Sequence, residues 1–359
     1  MDILVCGAGV TGSLYAAWLH RTGHNVTILA RGQRLSDIRQ HGIVLDDQYR
    51  GARTVDYVPV VERLSTDSKY DLVLVMVRKN QVSDLLPVLA GNQHTPNILF
   101  LMNNAAGPAE MIEALGYERV LLGFPGVGGV REGYTVRCVA GTQRRKPQTV
   151  FGEPCGLLTP RLDEIAAVLT EAGFRPVVSK NIDAWLKAHV AVVSPMANAL
   201  YMCAGDNYRL ARTRDGIVLM IRAMREGFRV LRARGVPIIP SYVGVLKWMP
   251  EPVLVALLSR LLNTRGAELA MAGHARAARD EMRCIADEFR ALVHKTDVQT
   301  PAIDILYSYI DPGTAPVRPG SARIPLDWRP VWTALGVLGG AALGIGLLSR
   351  LVLRRKVDG

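Results

Sequence analysis

The chain has 359 residues, 49% of them hydrophobic and 21% charged, which excludes a disordered chain and allows two domains with cores of their own. Its formal charge of +11 suits anionic partners. The basic residues are scattered, however, and the QRRK run at 143–146 lacks interleaved aromatics, which argues against nucleic acid. Five dispersed cysteines (Cys6, Cys138, Cys155, Cys203 and Cys284) with no C-x-x-C argue against a disulfide framework or a zinc site, and for a reducing compartment.

The first element, DILVCG, is a strand that enters a glycine turn, and no signal peptide is expected ahead of it. NVTILA, DLVLVMV and NILFLMN follow as β-branched runs separated by helix-like segments. That alternation predicts an α/β fold, a Rossmann-type parallel sheet with helices on both faces, over residues 1–180. RVLLGFPGVGGVREGYTVRCVA and QTVFGEP read as further strands that extend the sheet or form its edge. From 181 the strand signal ends, and helices are predicted at 181–204, 213–234, 251–263 and 274–295. They form a C-terminal all-α domain over 181–312. A Pro- and Gly-rich linker is expected at 313–329, and a C-terminal transmembrane helix at 330–353. The basis for the helix is the uncharged run VWTALGVLGGAALGIGLLS at 331–349, flanked by Trp328 and Trp332. Gly336, Gly340 and Gly344 give it two G-x-x-x-G steps. The expectation is a membrane-anchored protein with a cytoplasmic body, with room for a homodimer through the helical domain or the glycine-stepped helix.

Gly7, Gly9 and Gly12 form G-x-G-x-x-G between a strand and a helix, the context a dinucleotide site requires. Gly7 permits the turn, Gly9 lets the backbone approach the pyrophosphate, and Gly12 allows close helix–strand packing. Ala8, Val10 and Thr11 complete the turn at the helix N-terminus, where free N–H groups meet phosphate. The second strand ends at Arg31, with Arg34 close behind, where an NAD site would carry an acid. A guanidinium there favours the 2′-phosphate of NADP. Lys187 interrupts the apolar helix NIDAWLKAHVAVVSPMANAL, which calls for a partner, a route to water, or chemistry. His189 and His274 show no paired acid in the sequence and read as packing or surface residues.

GAGVTGSLYAAWLHRTGHNVTILAR, VMVRKNQVSD, LMNNAAG, AWLKAHVAVVSPMANAL and RDEMRCIADEFRAL…TPAIDILYSYI together resemble the ketopantoate reductases (2-dehydropantoate 2-reductases) over residues 1 to about 311. The resemblance implies NADPH-dependent reduction of a small 2-keto acid, ketopantoate becoming pantoate on the way to pantothenate and coenzyme A. It puts the family's catalytic lysine on Lys187 and its glutamate on Glu281. The asparagine after the fourth strand falls on Asn103, with Asn104 as the other register, and the basic residue beside the cofactor falls on Arg78, next to Lys79. These roles suit hydride addition to a ketone, which builds negative charge on oxygen and needs a donor beside it.

Three positions depart from the family pattern. Ala191 stands one turn after the lysine where the family has asparagine, Ser194 and Pro195 replace a second asparagine, and Leu269 replaces a serine. A related dehydrogenase for a different, more apolar keto or hydroxy acid therefore stays open. So does a membrane-anchored NADP-binding protein without turnover.

Overall fold

A computed structural model describes residues 1–142 and 144–329. It begins with β1 (Asp2–Cys6), α1 (Val10–Arg21), β2 (Asn25–Leu29) and α2 (Gly32–His41). β3 (Ile43–Asp47), β4 (Ala52–Asp56) and β5 (Val60–Val61) follow, then β6 (Leu72–Val75), α3 (Val82–Gly91), β7 (Asn97–Leu101), α4 (Ala109–Leu115) and β8 (Val120–Pro125). β9 (Gly128–Glu132), β10 (Thr135–Val139), β11 (Gln148–Gly152), α5 (Pro160–Glu171) and β12 (Arg175–Val178) complete the sheet region.

The main sheet has the order β12-β11-β8-β7-β6-β1-β2-β5, and only the β11–β8 pairing is antiparallel. Its central strands are apolar throughout because both faces are covered. Ile3 and Val5 of β1 join one buried cluster with Leu72 and Leu74, while Leu4 and Cys6 join the opposite cluster with Val73 and Val75. A second sheet, β4-β3-β10-β9, departs from the sequence reading, which ran the glycine-rich segment onto the main sheet's edge. β8 and β11 do join the main sheet. β9 and β10 instead form a hairpin whose β10 pairs with β3 of the β3–β4 hairpin, and the alternation of that second hairpin is hidden by the polar run from Asp46 to Arg53.

The helical region opens with α6 (Ile182–Met202), capped by Asn181, whose side chain accepts from Ala184 N. α7 (Asn207–Arg212), α8 (Arg214–Ala233), α9 (Val245–Trp248), α10 (Glu251–Leu262) and α11 (Arg265–Ala267) come next. One π-helical segment, Glu268–Ala272, leads into α12 (Gly273–Ala277), followed by α13 (Arg279–Val293) and α14 (Pro301–Tyr307). The helix expected at 274–295 is thus broken at Ala278, which has φ −129° and ψ 41°. α6 and α8 form the axis of a separate hydrophobic core that includes Ala191, Phe228, Ile285 and Leu306.

Residues 313–329 form a strap on this domain. Asp215 accepts from the backbone N–H groups of Arg323 (3.0 Å) and Ile324 (2.8 Å), and Glu251 from that of Asp327 (3.0 Å). The anchor expected at 330–353 lies outside the described residues. Among the described residues no helix is long and apolar enough to cross a membrane. α6 is the longest, and it carries Asp183 and Lys187 and packs inside the fold. The fold class is corrected accordingly to a Rossmann-type sheet domain with a helical domain, without the transmembrane helix, and the membrane-anchored localisation is withdrawn with it.

Candidate functional site

A cleft of about 1130 Å³ runs from the glycine turn after β1 to the wall formed by α6, α12 and α13. At one end Gly7 has φ +112°, and a Cβ there would sit 2.5 Å from the Met76 carbonyl oxygen. A Cβ at Gly12 would fall 1.8 Å from the Gly7 oxygen, so this position holds α1 tight beneath the turn. Gly9 is the N-cap of α1 and has nothing within 4 Å of its missing Cβ, which leaves an open approach to the first-turn N–H groups. Gly7, Ala8, Gly9, Val10 and Thr11 line the cleft, and Gly12 lies behind them. These features fit a dinucleotide pyrophosphate.

The two arginines after β2 differ. Arg31 is exposed on the cleft wall at the N-cap of α2. Arg34 is buried, and donates to Ala8 O (3.0 Å), Tyr134 O (3.0 Å) and Ser13 Oγ (2.9 Å). Burial, assisted by Arg131, pushes its pKa down to about 10. Arg34 therefore braces the underside of the glycine turn, whereas Arg31 stays exposed on the cleft wall.

At the other end, Asn103 follows β7, where ligands meet parallel sheets. Its Nδ2 donates to Glu281 Oε1 (3.1 Å), and its Oδ1 is buried without a protein partner. Glu281, on the first turn of α13, is 4% exposed, and its Oε2 lies 3.5 Å from His274 Nε2 on α12. All three side chains line the cleft. Asn104 points away, exchanging hydrogen bonds with Gly107 at 2.9 and 3.0 Å. The same turn is held by Glu288, which accepts from Ala105 N (2.9 Å) and Ala106 N (3.1 Å) and pairs with buried Lys79 (3.1 Å). Burial opposes the charge on Lys79, but Glu288 and Glu110 outweigh it and raise its pKa.

Lys187 is not among the cleft-lining residues. Its ammonium is paired with Asp183 one turn back, against the turn at Gly107. α6 presents His189, Val193, Met196, Ala197 and Leu200 to the cleft instead. Ala191 packs toward Gly227 of α8, and Leu269 is buried outside the cleft, so two departures from the family pattern do not touch its wall. His189 packs between Phe124 (ring centroids 4.0 Å) and Trp185 (5.1 Å), and burial drops its pKa to about 4, so the ring is neutral near pH 7.

Arg78 reaches across from the sheet domain. It donates to both carboxylate oxygens of Asp280 (2.9 and 3.1 Å) and to Ala277 O (2.6 Å), and Asn80 adds a bond to Asp280 (3.0 Å). This ties the sheet domain to α12 and α13 directly beside Glu281.

The structure thus brings Asn103, Glu281 and Arg78 to the same cleft as the glycine turn and Arg31, and leaves Lys187 behind the wall. Sequence reasoning set His274 aside for want of an acid. The signal was present, since residues seven apart share a helical face, as His274 and Glu281 do across the break at Ala278.

Residues 3–153 match the family model described as ketopantoate reductase PanE/ApbA. A 2-dehydropantoate 2-reductase of Halobacterium salinarum is 28% identical over 247 residues, 68% of this chain and 79% of its own. One from Listeria innocua is 25% identical over 236 residues, 64% and 75% respectively. Among solved structures, 2-dehydropantoate 2-reductase from Geobacter metallireducens superposes with a TM-score of 0.73 at 18% identity, covering 88% of this chain and 100% of that one. A D-mandelate dehydrogenase, solved with NADH and anilino(oxo)acetate, gives 0.71 at 18% identity, covering 86% and 97%. None of these findings supports a membrane tether or a homodimer. With the glycine turn, the Arg31 position and the two-domain fold on one side and these matches on the other, residues 3–153 carry a ketopantoate reductase domain, and the chain as a whole is similar to the 2-dehydropantoate 2-reductases, oxidoreductases that use NADPH.

Proposed function

We propose that the chain catalyses NADPH-dependent reduction of a 2-keto acid to the 2-hydroxy acid, with 2-dehydropantoate to pantoate as the reaction to test first. The carrying observation is that Asn103 and Glu281, hydrogen-bonded to each other, open onto the same cleft as the glycine turn. Gly7 to Thr11 hold the pyrophosphate and Arg31 the 2′-phosphate. NADPH, when bound, supplies the hydride.

Asn103 Oδ1 is a buried acceptor with no protein partner, and a ligand N–H or hydroxyl would satisfy it. Glu281 fixes the Asn103 amide so that this oxygen faces the cleft. Lys187, in this reading, acts through the Asn103–Gly107 turn that it packs against. Arg78 and Asp280 keep the two domains closed over the site.

A second reading keeps the reaction and changes the substrate. Phe124, Val193, Met196, Met271 and Met282 give the wall an apolar stretch that accommodates a larger hydrophobic substituent than ketopantoate carries. One experiment addresses both. Purified protein is mixed with NADPH and a panel of 2-keto acids, ketopantoate and branched and aromatic ones included, and loss of NADPH absorbance is followed. Turnover of one or more members is expected, and their kcat/KM ranking selects between the readings. NADPH binding without oxidation by any 2-keto acid overturns the proposal.

A further inference from the structure

Asn103 stands in the turn 103–107, and a turn at the end of a strand needs partners for its backbone groups to keep one shape. Asn104 and Gly107 close it from within by two hydrogen bonds. The N–H groups of Ala105 and Ala106 point out of it, and both donate to one atom, Glu288 Oε2 (2.9 and 3.1 Å). That acceptor belongs to the helical domain. Glu288 lies seven residues after Glu281 on α13, two helical turns along the same face. α13 therefore presents two carboxylates to the turn. Glu281 takes the Asn103 side chain (3.1 Å), and Glu288 takes the backbone just beyond it.

The other oxygen of Glu288 meets Lys79 Nζ at 3.1 Å. Lys79 follows β6 in the sheet domain; its side chain is 6% exposed and that of Glu288 13%. Glu110 also reaches the ammonium (3.5 Å) and is itself bound by Ser83 Oγ (2.5 Å). Neither Lys79 nor Glu288 lines the cleft. A buried ion pair contributes little net stability beside an apolar pair of the same volume. What an apolar pair does not provide is an acceptor for the buried Ala105 N–H, a donor that is costly to leave unanswered. The Arg78–Asp280 pair crosses the same domain boundary, but its side chains are 38% and 49% exposed and it does not touch the turn.

We propose that Glu288, held in place by Lys79, is a positioning residue for Asn103: it shapes the turn after β7 from the helical domain, so that the Asn103 amide is aligned when the two domains are docked and released when they part. The inference rests on the 2-keto-acid reductase reading. The cleft lies between the same two domains, so any parting that admits a ligand also withdraws Glu288 from Ala105 and Ala106. Closure over NADPH and the keto acid returns both carboxylates together, Glu281 to the Asn103 side chain and Glu288 to the backbone. Alignment of the site is thereby tied to closure.

The test uses Asn103→Ala, Glu288→Ala and the two combined, in the full chain with NADPH and the best keto acid of the panel. Misplacing a reacting partner by about 1 Å costs up to about 10²-fold, so Glu288→Ala should lower kcat about 10- to 100-fold with NADPH affinity kept. Because Glu288 acts through Asn103, the combined variant should be no slower than Asn103→Ala alone. A purely structural role predicts instead that the two losses multiply. Lys79→Met/Glu288→Gln strands no charge and keeps an amide oxygen for the two N–H groups, and it should return most of the lost kcat. Hydrogen exchange gives a readout without turnover. The amides of Ala105 and Ala106 should exchange faster in Glu288→Ala, with protection of the main sheet unchanged. Should Glu288→Ala lose its fold by circular dichroism, Lys79→Met/Glu288→Met, which keeps the volume and removes the acceptor, is read by the same criteria. Wild-type kcat in a folded Glu288→Ala, losses that multiply, or unchanged exchange at Ala105 and Ala106 overturns the inference. Failure of wild type to reduce any 2-keto acid, or a wild-type rate in Asn103→Ala, sinks the parent reading and this one with it. A slow Asn103→Ala beside an unimpaired Glu288→Ala sinks this one alone.

Discussion

Replacing Arg31 with alanine separates the two arginines that follow β2. Arg31 is exposed on the cleft wall and caps α2 through its backbone alone, so the truncation removes no side-chain hydrogen bond from the fold. What it removes is a cation for a 2′-phosphate. A hydrogen bond to a charged group contributes about 1.5–3 kcal/mol, and solvent exposure places this one toward the lower end. A loss of about 1–2 kcal/mol corresponds to roughly 5- to 30-fold in the NADPH dissociation constant. NADH carries no such phosphate and should lose less than about 2-fold by the same conversion. Arg34→Ala is the contrast, because it strips hydrogen bonds from Ala8 O, Tyr134 O and Ser13 Oγ. That variant should weaken NADPH and NADH together and lower Tm. Fluorescence titrations of both dinucleotides with each variant decide the matter. Equal losses of NADPH and NADH in Arg31→Ala would refute the phosphate assignment.

Three further substitutions test the geometry. Gly12→Ala places a methyl 1.8 Å from the Gly7 oxygen, so the turn must move. The expected outcome is no measurable dinucleotide binding, whereas Gly9→Ala, with open space around its Cβ, should fold normally and lose affinity only through the approach to phosphate; indistinguishable binding by Gly12→Ala and wild type would contradict the packing argument. His189→Phe should flatten the acid side of a Tm–pH profile. The folded pKa of about 4 lies below the ordinary value near 6.5, so wild type loses stability as pH falls from about 6.5 toward 4, where the unfolded chain binds the proton first. Phenylalanine has no proton to bind, and an unchanged slope over that range would show that His189 is not buried neutral.

Much of the fold is legible in the chain because its causes are local. β1, β6 and β7 are continuous apolar runs, as strands buried on both faces must be, and α1 follows β1 after only three residues. The small sheet was missed because nothing local joins β3 to β10, which lies some ninety residues further on. Glycine-rich strands such as β9 give no alternation to read. The break in the helix expected at 274–295 was hidden for a similar reason. His274 to Val293 contains no proline, and no glycine follows Gly273, so the departure at Ala278 comes from tertiary packing of Gly273 on Val130 and of Arg78 on the Ala277 carbonyl.

The site shows the same division more sharply. Sequence spacing states which residues share a face of a helix, and it set Ala191 one turn after Lys187. It does not state which face meets the cleft. Lys187 and His189 are two residues apart, which at about 100° per residue places them on nearly opposite sides of α6. Burial decides between the two faces. The side that carries Ala191, Pro195 and Asn198 contains small residues against which α8 and α13 approach, down to the contact of Gly227 with Ala191 and Phe289. The side that carries His189, Val193, Met196 and Leu200 has the bulk to wall a ligand cavity. Once that register is fixed, a charged residue at 187 has only the first turn of its own helix to answer it, and Asp183 does so.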